Sequence, residues 1–161
     1  MTGKRPRLVR FLLIALIAAG CAMPADKTQA QPVTVKDAWV RAPAPGQKVA
    51  GAYMEIVSRT HMVLTAVASP AAASVELHST SMEDGVMRMR PVARIELPAG
   101  KPVMLAPGGL HAMLVDLKQP LKPGDKVPLT LTVQRADLAS RSVFTIQAEV
   151  RNPGPESAHH H

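Results

Sequence analysis

The sequence predicts an all-β protein, an antiparallel sandwich or barrel, and three observations carry that expectation. From Val33 onward the apolar and alternating runs are short, turn residues cut them at close intervals, and no long 3.6-residue period intervenes. The runs fall at 33–41, 50–57, 62–68, 74–78, 86–95, 103–105, 111–117, 126–134 and 142–150. Between them lie Ala42-Pro43-Ala44-Pro45-Gly46, Ser69-Pro70, Glu83-Asp84-Gly85, Pro98-Ala99-Gly100, Pro107-Gly108-Gly109 and Lys122-Pro123-Gly124-Asp125, all with turn chemistry. No repeat or second domain interrupts this pattern, so 31–150 reads as one domain of a 161-residue chain. That length is enough to bury a proper core.

The first thirty residues read as an export signal. A basic stretch from Lys4 to Arg10 precedes the apolar run Phe11-Leu12-Leu13-Ile14-Ala15-Leu16-Ile17-Ala18-Ala19. That run is too short for a membrane span, which needs roughly 20 residues. Cleavage after Thr28-Gln29-Ala30 fits an ordinary signal peptidase. Cys21 after Ala18-Ala19-Gly20 faintly resembles a lipoprotein attachment site, with Ala18 where such sites favour Leu. A soluble exported, periplasmic protein is the favoured reading, with membrane attachment only through a lipid on Cys21. The polar stretch 151–161 reads as a flexible tail ending in His159-His160-His161.

The formal charge of +7 suggests an anionic partner until the chain is divided. Lys4, Arg5, Arg7, Arg10 and Lys27 stand against Asp26 in the first thirty residues. Without that segment, basic residues fall from 19 to 14 and acidic ones from 12 to 11, leaving +3. No basic stripe with interleaved aromatics survives, which argues against a nucleic-acid partner. The single cysteine lies in the signal segment, so the domain has no thiol. It cannot use an internal disulfide or offer a thiolate, and soft-metal chemistry has to come from methionine.

The domain's histidines are His61, His78 and His111; its methionines are Met54, Met62, Met82, Met87, Met89, Met104 and Met113. Strand parity puts His111 with Met113 on one face, Met87 with Met89 on one face, and Glu76 with His78 on one face. His78 is expected at a strand end and His111 at a strand start, both on a rim beside loops. Neutral thioethers with imidazoles favour Cu(I) over Zn(II), Ca(II) or Mg(II). A blue-copper carrier needs a cysteine ligand and is disfavoured.

His78, Met89, His111 and Met113 stand in the spacing H-x10-M-x21-H-x-M. With Val75-Glu76-Leu77-His78, Gly85-Val86-Met87-Arg88-Met89-Arg90, Pro98-Ala99-Gly100 and the run from Leu105 to Leu114, this resembles the periplasmic copper chaperones of the PCuAC family. The likeness runs from about Trp39 to Leu117, with the later strands fitting by pattern. It implies a cupredoxin-like Greek-key β-sandwich and one surface Cu(I) site formed by those four residues. It also implies a non-enzymatic role in copper homeostasis, handing copper to the CuA centre of cytochrome c oxidase or to a copper-assembly protein. Many members place Met directly after the first histidine; here it is Ser79.

The remaining candidates have plainer readings. Met54 and Met104 are expected in the core, and Met87 beside the site as packing. Met82 is expected as exposed loop filler, its alternative a transient access ligand. His61, next to Met62, reads as a loop histidine. The terminal histidines suggest at most a secondary Cu(II) site or the remnant of a tag. Trp39 and Tyr53 are expected in or near the core, and Arg88 and Arg90 on the solvated face opposite the methionines. The competing function is a metal-free exported β-sandwich module for binding or assembly.

Overall fold

Alternation along 33–41 and 126–134 is the pattern of strands with one face buried, and such strands must find a common core. The computed structural model describes residues 32–137 and 140–153. The signal segment with Cys21 and the terminal histidines lie outside the described residues. The described residues form ten strands: β1 Val33–Arg41, β2 Val49–Ser58, β3 Met62–Ala68, β4 Ala72–Glu83, β5 Val86–Pro91, β6 Ile95–Leu97, β7 Pro102–Leu105, β8 Leu110–Leu117, β9 Lys126–Arg135 and β10 Arg141–Arg151.

They hydrogen-bond in the order β5-β4-β8-β2-β1-β10-β9-β3-β6, with β7 also on β2. All these pairings are antiparallel except β1 with β10. β3 packs against β4 although the two are far apart in that order, so the sheet is folded into a sandwich. Its edges β5 and β6 do not close it into a barrel. Val40, Leu64, Leu77, Leu114, Leu129, Leu131 and Val133 meet inside. Each such side chain contributes about 1.5–3 kcal/mol when fully withdrawn from water.

Three local departures from the expected pattern position the site. β4 does not stop at His78 but continues to Glu83, so His78 lies within a strand rather than on a rim. The added stretch Ser79–Glu83 is polar apart from Met82, because beyond the sandwich it pairs mainly with the edge strand β5. The expected strand 86–95 is cut in two. Pro91 has no N–H to continue the ladder, Val92 donates to the Leu77 carbonyl oxygen at 2.8 Å, and Ile95–Leu97 crosses to β3.

The third departure is a bulge in β1. Lys36 pairs with Glu55 and Trp39 with Tyr53, so one extra residue is accommodated on β1, where Asp37 adopts φ 46°. One extra residue exchanges the two faces of a strand. Val33 and Val35 therefore point inward, while beyond the bulge Val40 takes the core position and Trp39 turns outward with Tyr53.

Candidate metal centre

The β4–β5 hairpin turns on Asp84 and Gly85, at φ 51° and 76°. Two consecutive left-handed residues make the turn whose twist matches that of the flanking strands. The register that follows sets Met82 opposite Met87, Thr80 opposite Met89 and His78 opposite Pro91. On the other side of β4, His78 faces His111 and Glu76 faces Met113. Gly51 of β2 faces Met113, and Tyr53 faces Trp39. Directly opposed residues share a sheet face.

All four sequence-derived candidates, His78, Met89, His111 and Met113, thus stand on the outer face of one end of the sheet. Trp39, Tyr53, His111 and His78 form a continuous row across it. Successive ring centroids are 4.6, 6.3 and 5.7 Å apart. Met89, His111 and Met113 line one open cleft of about 370 Å³, together with Met87, Arg41 and Tyr53. His78 is not part of that lining; its ring flanks the cleft beside His111.

Hydrogen bonds orient both imidazoles. The Nδ1–H of His111 donates to the Gly109 carbonyl oxygen at 3.0 Å, which leaves the Nε2 lone pair of the neutral ring uncommitted. The same carbonyl oxygen accepts from the Thr80 amide at 3.0 Å, tying the loop before β8 to β4. His78 is held the other way round: Nε2–H donates to the Glu76 carboxylate at 2.9 Å. Its Nδ1 is buried and has no hydrogen-bond partner among the described residues. Buried polar atoms are normally satisfied, so an imidazole lone pair left bare suits a ligand position. Metal-bound histidines commonly direct their other nitrogen to a carboxylate or carbonyl, and both rings here do so.

His111 is only 4% exposed, enclosed beside Tyr53. Burial pushes the Tyr53 phenol above its ordinary value, the Arg41 guanidinium pulling the other way. The ring of Tyr53 lies back over Gly51, where a Cβ would collide with the hydroxyl and stand 2.8 Å from Cζ. Gly51 therefore leaves the space that Tyr53 fills beside the cleft. Gly51 and Tyr53 are two apart on β2 and so share a face by parity, but parity does not say that the ring folds back over the glycine rather than packing in the core. Glu76 it did place on the face of His78.

Several plainer expectations change. Met104 is exposed, because among the described residues β7 pairs only with β2 and nothing covers its outer face. Met82 lies on β4 and not in a loop. Arg88 and Arg90 are exposed as expected, both reaching Glu83, at 3.2 and 3.0 Å. Among the described residues, no group of three or more His, Cys, Asp or Glu side chains converges as a metal site.

Residues 33–144 match the family described as "Putative lipoprotein LpqE-like". The chain belongs to the LpqE-like family. One curated relative, "Putative lipoprotein Lxx21020" of Leifsonia xyli subsp. xyli, is 36% identical over 138 residues, or 80% of this chain and 83% of that protein. Solved structures extend the kinship to PCuAC domains. The copper-bound PCuAC domain from PmoF2 is 29% identical with a TM-score of 0.62, covering 76% of this chain and 94% of that one. The CuI form of DR1885 from Deinococcus radiodurans is 35% identical with a TM-score of 0.55, covering 77% and 81%. Its apo form is 30% identical over 95% of this chain and 97% of its own, with a TM-score of 0.57. This LpqE-like protein is thus a PCuAC-like homologue with the cupredoxin-like sandwich.

Proposed function

We propose that this LpqE-like protein is an exported carrier of Cu(I), not an enzyme, with His78, Met89, His111 and Met113 as the ligands of one ion. The observation that carries the reading is the opposed pair His78–His111, rings 5.7 Å apart, each held by its other nitrogen. Nδ1 of His78 and Nε2 of His111 are the donors left over; Met89 and Met113 line the cleft with His111, and the His78 ring flanks it. Four neutral donors leave a monovalent charge, and the Glu76 carboxylate next to His78 offsets it. A shallow site with an exposed methionine permits stepwise ligand exchange with a thiolate-rich acceptor. The acceptor we infer is the CuA centre of cytochrome c oxidase or a protein that assembles it. The lipoprotein kinship adds weight to anchoring through Cys21, against the soluble form that the signal segment alone favours.

A metal-free exported module for binding or assembly is the second reading. The specific observation in its favour is that no cluster of three or more His, Cys, Asp or Glu side chains exists among the described residues. Competition titration against a Cu(I) chelator under reducing conditions separates the two, in a Cys21→Ser background that removes the competing thiol. The carrier retains one equivalent, and Met89→Leu weakens binding at least tenfold while its melting temperature changes little, since the swap nearly conserves volume. Retention of no copper supports the metal-free module. Unchanged affinity in Met89→Leu removes that methionine from the site.

A further inference from the structure

Three methionines crowd the β4–β5 hairpin, and none is core filler: Met82, Met87 and Met89 are 61%, 53% and 50% exposed. Large apolar side chains on an edge strand are a liability that proteins usually replace with charge. On the opposite face of the same hairpin that replacement is present, as Arg88 and Arg90 paired with Glu83. The asymmetry singles out the methionine face as serving something other than solubility.

Register gives that face its order. Met82 and Met87 are directly opposed, and such pairs hold their Cβ atoms roughly 4.5–5.5 Å apart. Two unbranched thioether side chains span that gap easily around a single ion. Met89 follows Met87 on the same face, about 7 Å further along the strand. Met87 and Met89 both line the cleft that contains His111 and Met113, whereas Met82 lies beyond it. By register, the three methionines therefore run from the hairpin tip toward the cleft that holds His111.

We propose that Met82 and Met87 form a second, weaker site for a soft monovalent cation, which passes the ion to and from Met89. The inference rests on the carrier reading above and adds the route by which the ion reaches and leaves it. Each step exchanges one neutral thioether for another. The cation stays monovalent and no proton or electron moves. A pair of thioethers without imidazole binds more weakly than the mixed set, as an access point must if the ion is to move on.

The test uses the full chain carrying Cys21→Ser, labelled with 13C at the methionine methyl groups and titrated with Ag(I) as a redox-inert probe. The expected result is that the Met89 and Met113 signals respond to the first equivalent and the Met82 and Met87 signals move together at higher silver. In a His111→Ala/Met113→Leu variant the Met82 and Met87 response persists. In Met82→Leu, the silver needed to move Met87 rises at least tenfold. Met104, exposed but solitary on β7, stays still throughout and reports any non-specific binding. Still Met82 and Met87 signals beside a moving Met113 overturn the inference and leave the carrier reading standing. A moving pair beside a silent Met113 overturns the carrier reading and the route with it. Equal movement of Met104 reduces the pair to ordinary exposed thioethers.

Discussion

Two regions of the molecule carry the same ingredients with different outcomes. At the β3–β6 edge, His61 bonds the Glu96 carboxylate at 3.0 Å, with Met62 adjacent in sequence. At the β4–β8 pair, His78 bonds the Glu76 carboxylate at 2.9 Å, with methionines on neighbouring strands. His61 is mostly exposed, while Met62 is buried in the core at 2% exposure. His61 stands just before β3 and faces solvent while Met62 opens β3 inside the core, so this neighbour pair does not present its two side chains to one ion. His78 instead meets His111 across the ladder and gains methionines at spacings that register, not sequence adjacency, supplies. Residue type sets what a site can bind; register decides whether there is one.

The largest effect expected from this contrast is on stability. Met62→Ala opens a cavity and costs about 2–5 kcal/mol, read as a fall in the urea midpoint, whereas Met104→Ala on the exposed face leaves the midpoint nearly unchanged. A midpoint in Met62→Ala equal to that of the unmutated protein contradicts the placement of Met62 in the core. Next is the pair of carboxylates. Glu76→Gln removes the charge that holds the His78 ring and lowers Cu(I) affinity about 10–100-fold, the usual range for such supporting groups. Glu96→Gln, beside His61, leaves affinity where it was. Equal losses in the two variants break the comparison.

Much of this arrangement was legible from the residues. Strands β1 and β3 fall at the bounds that alternation gives, and parity alone put Glu76 with His78 and His111 with Met113 on shared faces. What parity cannot give is the middle partner. Met89 approaches His111 only because β4 lies between β5 and β8, a pairing between segments distant in the chain. The polar run Ser79–Glu83 has no hydrophobic period and reads as loop, yet the Asp84-Gly85 turn folds it onto β5. The bulge at Asp37 carries no strong signature, so the outward turn of Trp39 was hidden. Met104 sits in the continuous apolar run Pro102–Leu105, which reads as core until the strand proves to lie outside it.

A smaller effect sharpens the role of the aromatic row. Burial raises the Tyr53 pKa, so the folded state keeps its proton to higher pH than the unfolded chain. The stabilisation that this gives is fully present below the unfolded value of about 10 and fades as pH rises through the folded one. Denaturation midpoints measured between pH 8 and 11 therefore fall for the unmutated protein and fall less for Tyr53→Phe. Parallel curves would mean that the phenol is in water rather than packed over Gly51.

X-ray absorption of the Cu(I)-loaded protein, in the Cys21→Ser background, bears most directly on the claim that opposed imidazoles and flanking thioethers share one ion. The account predicts two nitrogen and two sulfur neighbours, with one sulfur lost in Met89→Leu and one nitrogen lost in His78→Ala. A shell of nitrogen and oxygen alone, or a sulfur count untouched by Met89→Leu, contradicts it.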